Sequence, residues 1–172
     1  VSKTFKKNWD NFDKYRILAN QGSARSGKTY GILQLWILVL LNNNTDKKLL
    51  SIVRSTMPAL KKSVMRDFIE VLNTMGLYNK KNWRLSDKTY ELNGHLIEFF
   101  STDDAQKVRG SKRNYLFCNE ANEIDLDSWR QLSMRTTEQI IIDYNPSDAE
   151  HFIYDEILPQ EDCLFIKSTY KD

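Results

Sequence analysis

The stretch Gly22-Ser23-Ala24-Arg25-Ser26-Gly27-Lys28-Thr29 decides the reading of this chain. It matches Gly-x-x-x-x-Gly-Lys-[Ser/Thr], the Walker A pattern of a loop that wraps a polyphosphate. Each residue type has a physical reason to be there. Gly22 and Gly27 let the backbone curl until successive N–H groups point at one anion. A helix starting near Lys28 adds the positive end of its dipole. The Lys28 ammonium is placed to bridge β- and γ-phosphates, and the Thr29 hydroxyl to ligate Mg²⁺.

The flanks fit this reading. Tyr15-Arg16-Ile17-Leu18-Ala19 reads as a short buried strand, and Tyr30 to Leu41 reads as a helix that is apolar on most sides. A Gly/Ser-rich turn matching by accident would not bring a strand before it and a helix after it. The pattern predicts a nucleotide site contributed by Gly22, Ser23, Ala24, Arg25, Ser26, Gly27, Lys28 and Thr29.

The 172 residues suffice for one α/β domain with its own core. A net charge of +2 implies no nucleic-acid partner by itself, so only local clusters can argue for one. Cys118 and Cys163 lack Cys-x-x-Cys spacing, which suits a reducing compartment, and His95 and His151 stand apart without a zinc pattern. The apolar run that contains Ile37 to Leu41 is too short to span a bilayer. A soluble intracellular domain over residues 1–172 is expected, without a membrane partner.

Taken in order, Val1 to Lys14 carries Phe5, Trp9 and Phe12 at spacings of four and three, the pattern of a short amphipathic helix packed on the domain. A second role, covering an adenine, is open to it. Lys48 to Arg54 reads as a buried strand. Ser55 or Thr56 then caps a helix with Pro58 in its first turn, which Gly76 ends. Asn93-Gly94 between Thr89-Tyr90-Glu91-Leu92 and His95 to Phe100 predicts a type I′ hairpin, inserted into a mainly parallel plan. Lys107 to Arg113 is a basic stretch, read as a flexible loop.

Tyr115-Leu116-Phe117-Cys118 is an apolar run ending in Asn119-Glu120, the shape of a Walker B strand. Such a strand sets acidic residues at the carboxyl edge of the sheet, beside the phosphate loop. Glu120 is placed to orient and deprotonate a water in line with the γ-phosphate. Asn119 stands where an aspartate is usual; its carbonyl can still accept from a metal-bound water. Asp125 caps a helix with Trp129 and Leu132. Gln139 to Tyr144 is a buried strand, and Asn145 at its end is either a γ-phosphate sensor or part of an ordinary Asn-Pro turn. A helix with Phe152, Ile153 and Ile157 and a last strand, Cys163 to Ile166, follow. Two arginines are candidates for stabilising the transferring phosphoryl group: Arg25 within its own subunit, and Arg109 in a neighbour's site.

From about Tyr15 to Asp172 the chain resembles the ATPase domain of phage terminase large subunits, motors that package viral DNA. The resemblance rests on the phosphate loop, Ile52-Val53-Arg54-Ser55-Thr56, Lys107-Val108-Arg109-Gly110, Phe117 to Ile124, and Asp143-Tyr144-Asn145-Pro146-Ser147. It implies an additional-strand, catalytic-glutamate P-loop fold that hydrolyses ATP with Mg²⁺. Lys28 and Thr29 match the phosphate and magnesium residues, Glu120 the catalytic carboxylate, and the Asn145 region the motif coupling hydrolysis to movement. Asn119 departs from the more frequent aspartate. Implied partners are double-stranded DNA, a portal, a small terminase subunit, and further copies in a ring, commonly of five, in the host cytoplasm; the isolated fragment is expected to be monomeric. Family members also carry a C-terminal nuclease domain. No cluster of catalytic carboxylates for it occurs in this stretch, so an ATPase fragment without nuclease activity is expected.

Two other classes stay open. A P-loop kinase would show an arginine-rich lid and an acceptor pocket, neither of which is visible. A non-hydrolysing nucleotide-binding assembly module is compatible with Asn119. A GTPase would carry an Asn-Lys-x-Asp motif, which is absent. Lys61, Lys62, Lys80, Lys81, Lys107, Arg109, Lys112 and Arg113 are either a DNA-facing surface or distributed solubility charge.

Overall fold

The computed structural model describes residues 1–23, 26–110, 112–146 and 151–172. Ala24, Arg25, Ser111 and Ser147 therefore lie outside the described residues. The strands are β1 (Ile17–Gly22), β2 (Leu49–Arg54), β3 (Trp83–Arg84), β4 (Thr89–Leu92), β5 (His95–Ser101), β6 (Arg113–Cys118), β7 (Thr136–Tyr144) and β8 (Cys163–Ser168). The helices are α1 (Lys3–Asn11), α2 (Lys28–Leu41), α3 (Met57–Lys62), α4 (Val64–Thr74), α5 (Ala105–Arg109) and α6 (Leu126–Met134).

One eight-stranded sheet runs in the order β3-β4-β5-β2-β6-β7-β1-β8. From β5 to β8 every neighbouring pair is parallel; β3 and β4 extend one edge antiparallel. Strand β7 lies between β1, which leads into the phosphate loop, and β6, which leads to Glu120. The inner parallel strands β2, β6 and β7 are largely buried on both faces and so carry near-continuous apolar runs. Alternate residues feed two cores. Leu18, Ile52, Phe117 and Ile141 pack under α2, α3 and α4, while Ala19, Val53, Cys118 and Ile142 pack under α5 and α6.

Most predicted elements are present, with shifts that have local causes. The helix expected from Thr56 to Gly76 is two helices, because Ser63 leaves helical geometry (φ −127°, ψ −93°). Thr56 is the cap, accepting from the Ala59 N–H, and Gly76 ends α4 at φ +70°. Asn93 and Gly94 turn at φ +50° and +77° and close an antiparallel pairing of β4 with β5. β5 also pairs parallel with β2, so the turn lies on the edge of the main sheet. The expected helix around Ile153 is a single π-turn, Ile153–Ile157.

Helix α1 packs on α2 and β8, and its buried residues are polar. Asn8 and Asn20 exchange side-chain hydrogen bonds at 2.8 and 2.9 Å, and the Thr4 and Ser168 hydroxyls are 2.7 Å apart. Phe5 and Phe12 pack against the core, while Trp9 stays 40% exposed.

The basic stretch 107–113 is not a loop throughout. Lys107 and Arg109 lie on α5, and Arg113 begins β6. Arg113 is 2% exposed; it donates to Ser51 Oγ at 2.8 Å and to the Leu132 carbonyl at 3.1 Å, and lies over the Phe100 ring. It belongs to the core and to no DNA-facing surface. Lys61 and Lys62 lie on α3 over one face of the sheet and Lys107 and Arg109 lie on α5 over the other, so the expected basic residues do not share one face.

No helix among the described residues is long and apolar enough to cross a membrane.

Candidate active site

In a parallel sheet, loops that leave the carboxyl ends of the strands gather at one edge. Here β1 delivers Gly22, β2 Arg54, β6 Asn119 and Glu120, and β7 Asp143 and Asn145. Between them lies a cleft of about 330 Å³, bordered by Lys28, Thr29, Arg54, Ser63, Asp67, Asn119, Glu120, Glu123 and Asn145.

The phosphate loop is built by close approach. A Cβ on Gly22 would lie 2.8 Å from Ser26 Oγ and 2.9 Å from the Ser168 carbonyl, so a larger residue would force the loop off the sheet. Gly27 is the N-cap of α2 at φ +70°, a conformation that glycine adopts without strain. No side chain caps α2. Among the described residues the first-turn N–H groups therefore lack the side-chain acceptor most helices provide, which is the arrangement of an anion site. The Ser26 hydroxyl beside them is buried, with no protein partner among the described residues.

Lys28 is 2% exposed, and a buried ammonium needs partners. Its Nζ donates to the Ser23 carbonyl at 3.3 Å and to Asn145 Oδ1 at 3.2 Å. The other end of the Asn145 amide donates to Glu120 Oε2 at 3.1 Å. Asn145 thus joins the phosphate-loop cation to the carboxylate at the end of β6.

Glu120 stands in left-handed geometry (φ 51°, ψ 56°), strained for a residue with a Cβ by about 1 kcal/mol. Its N–H donates to Asp143 Oδ1 at 2.6 Å, which holds that turn. Burial raises the Glu120 carboxyl above its ordinary range, and the nearby Asp143 charge adds to this; Lys28 and Arg54 pull the other way.

Asp143 is fully buried and lies at the centre of the polar cluster. It accepts from the Thr29 hydroxyl at 2.9 Å and from Asn119 Nδ2 at 3.1 Å to each oxygen. Burial raises its carboxyl, while Lys28 and these donors pull it back. Asn119 turns its NH₂ toward Asp143 and Thr29, and its carbonyl accepts from Arg54 Nη1 at 3.3 Å. The carbonyl expected to face a metal-bound water is therefore directed at a guanidinium.

Among the described residues, Arg54 is the guanidinium that borders the cleft. It donates to Ser63 Oγ at 2.5 Å and to the Glu123 carboxylate at 3.4–3.5 Å. Arg109 does not border it; Arg109 is 62% exposed and pairs with Asp127 at 3.0 Å, where α5 meets α6. Ala24 and Arg25 are outside the described residues. The fold thus brings Gly22, Ser26, Gly27, Lys28, Thr29, Asn119, Glu120 and Asn145 to one edge, and adds Asp143 and Arg54, which sequence reasoning did not assign to the site. Both lie at or next to the end of an apolar strand, the same signal that picked out Glu120.

A second, mainly apolar slot of about 250 Å³ opens beside the loop, between Gln21, Gly22, Ser23, Pro146 and the tail from Lys167 to Tyr170.

The family model of the phage terminase large subunit matches residues 13–172. The large terminase of a thermophilic bacteriophage superposes with a TM-score of 0.85 at 19% identity, over 99% of this chain and 46% of that one. The same protein in complex with ATP-gamma-S gives 0.82 at 18% identity, over 99% and 45%. The large terminase ATPase domain of Thermus phage P74-26 gives 0.63 at 13% identity, over 89% and 75%. The chain therefore spans less than half of the first of these proteins. No curated protein sequence matches it. At these identities the superpositions speak for the fold, an α/β sheet like that of terminase ATPase domains, and the family model for descent: the chain belongs to the phage terminase large subunit family.

Proposed function

We propose that the cleft binds ATP with Mg²⁺ and hydrolyses it, and that the chain is the motor domain that couples this to movement of double-stranded DNA into a procapsid. The observation that carries the reading is the meeting of Lys28, Thr29, Glu120 and Asn145 at one sheet edge. The position of β7 between β1 and β6 supports assignment to the additional-strand, catalytic-glutamate class of P-loop proteins. The ATP-gamma-S complex of the thermophilic phage terminase supports ATP as the ligand.

In this reading the phosphates lie on the first turn of α2, with Lys28 exchanging its carbonyl and amide partners for β- and γ-oxygens. The base and ribose take the apolar slot beside Gly22, which Pro146 and Tyr170 border. Glu120 accepts the proton of the attacking water, and its raised affinity for protons suits a general base. Asn145 holds that carboxylate in place and senses whether Lys28 is engaged. Arg54 supplies positive charge to the cleft from within the chain. Arg109, exposed on α5, serves a neighbouring copy in a ring by exchanging its Asp127 partner, with portal and small subunit as further partners.

A magnesium ion would fit the oxygen donors present. The Thr29 hydroxyl gives its proton to Asp143 and accepts only a long 3.5 Å contact from Asn119 Nδ2, which leaves a lone pair for a hard cation. When bound, the ion supplies charge neutralisation to the transferring phosphoryl group.

The test is Mg²⁺-dependent ATP hydrolysis per chain over a wide protein-concentration range, beside Glu120→Gln. A rate per chain that rises with concentration and disappears in the variant supports a site completed by a neighbour. A flat rate that still needs Glu120 supports a self-contained site. Nucleotide binding without turnover at any concentration sinks the hydrolase reading and leaves an assembly module.

A further inference from the structure

We propose that Asp143, at the end of β7, is the acidic partner of the magnesium site, in place of the aspartate that this chain lacks at position 119. The inference deepens the proposed ATPase reading and rests on it.

Strands β6 and β7 are parallel neighbours in register, with Cys118 opposite Ile142. The next residues, Asn119 and Asp143, are within hydrogen-bond distance, with the Asn119 NH₂ 3.1 Å from both Asp143 oxygens. Both also reach Thr29 Oγ1, Asp143 at 2.9 Å and Asn119 at 3.5 Å. A carboxylate needed beside the Thr29 hydroxyl can therefore be supplied from either strand. Two carboxylates at this spacing would repel in a buried site, and none would leave Thr29 without an anionic acceptor. One aspartate and one asparagine satisfy the charge and the hydrogen bonds together. The chain has that pair with the strands exchanged.

Asp143 also fixes the Glu120 turn through the Glu120 N–H. A purely structural role there would lower turnover and leave the Mg²⁺ requirement of nucleotide binding unchanged. The test therefore reads binding. The affinity of a fluorescent, slowly hydrolysed ATP analogue is measured from EDTA through rising Mg²⁺ for the native chain, Asp143→Asn, and the exchange variant Asn119→Asp with Asp143→Asn. Asp143→Asn is expected to raise the Mg²⁺ concentration for half-maximal effect by about 10–100-fold. The exchange variant recovers most of that loss. An unchanged Mg²⁺ dependence in Asp143→Asn, or an exchange variant no better than it, overturns the inference. A native chain that binds no analogue under any condition sinks the nucleotide-site reading instead. Should neither variant fold, the native chain crystallised with Mg²⁺ and the analogue decides. A cation at Thr29 whose bound water contacts Asp143 supports the assignment; a cation shell turned away from Asp143 overturns it.

Discussion

The side-chain amide of Asn145 spans the cleft to Glu120, its Nδ2 lying 3.1 Å from Glu120 Oε2, while its carbonyl holds the Lys28 ammonium. One residue at the end of β7 therefore contacts both Lys28 and the proposed base. Asn145→Ala removes the brace and leaves the phosphate loop intact. Single-turnover ATP hydrolysis should fall about 10–100-fold, with analogue affinity within a few-fold of native. A fall in affinity with turnover preserved would assign Asn145 to nucleotide capture alone.

Glu120 carries a pH signature. Burial favours its neutral form, so its folded pKa lies above the ordinary glutamate value of about 4.3. The acid limb of the kcat/KM profile should therefore lie above that value, because the base is protonated below it. Stability follows the same sign: the raised carboxyl favours the native state at low pH, and that contribution is lost as pH rises through the folded pKa. Glu120→Gln should then abolish turnover by about 10²–10⁴-fold and raise Tm at neutral pH, with the gain shrinking on acidification. Thermal melts over a pH series, beside the rate profile, check both halves.

Arg54 reaches Ser63, Asn119 and Glu123 from a single planar group. A lysine keeps the charge and loses that geometry. Arg54→Lys should recover little of the turnover lost in Arg54→Ala, and steady-state kinetics of the two variants show whether it does. Full recovery by lysine would mean that charge alone is needed at the end of β2.

Arg113 should matter for folding and for nothing in the cleft. Its guanidinium is buried against Phe100 and bonded to Ser51 Oγ, which in turn donates to Glu98 at 2.6 Å. Removing a buried charged group from such a network strands its partners. Arg113→Ala should cost about 3 kcal/mol in urea unfolding, with unchanged analogue affinity in the folded fraction. A variant as stable as native but weak in DNA binding would return Arg113 to the surface role suggested by its basic neighbours.

Much of the fold was legible because its signals are local. The apolar runs that became β2, β6 and β7, the Asn93-Gly94 turn and the Asp125 cap each depend on residues within one element. Element limits were less legible. Nothing in the run from Met57 to Thr74 marks Ser63 as a break; there the Ser63 hydroxyl donates to the Ala59 carbonyl and accepts from Arg54, a residue outside the run. Charge alone misread 107–113, because burial of Arg113 depends on Ser51 and Leu132, distant in the chain.

By itself the sequence determined that a Gly-x-x-x-x-Gly-Lys-Thr stretch links a buried strand to a helix, and that Glu120 and Asn145 end apolar strands. Backbone freedom at glycine and hydrophobic runs are properties of neighbouring residues. Only the tertiary structure decided which strand ends meet. Asp143 and Asn119 are separated by a whole helix and strand, yet share one hydroxyl because β7 lies between β1 and β6. Strand order follows from the packing of both cores at once, and no local spacing encodes it.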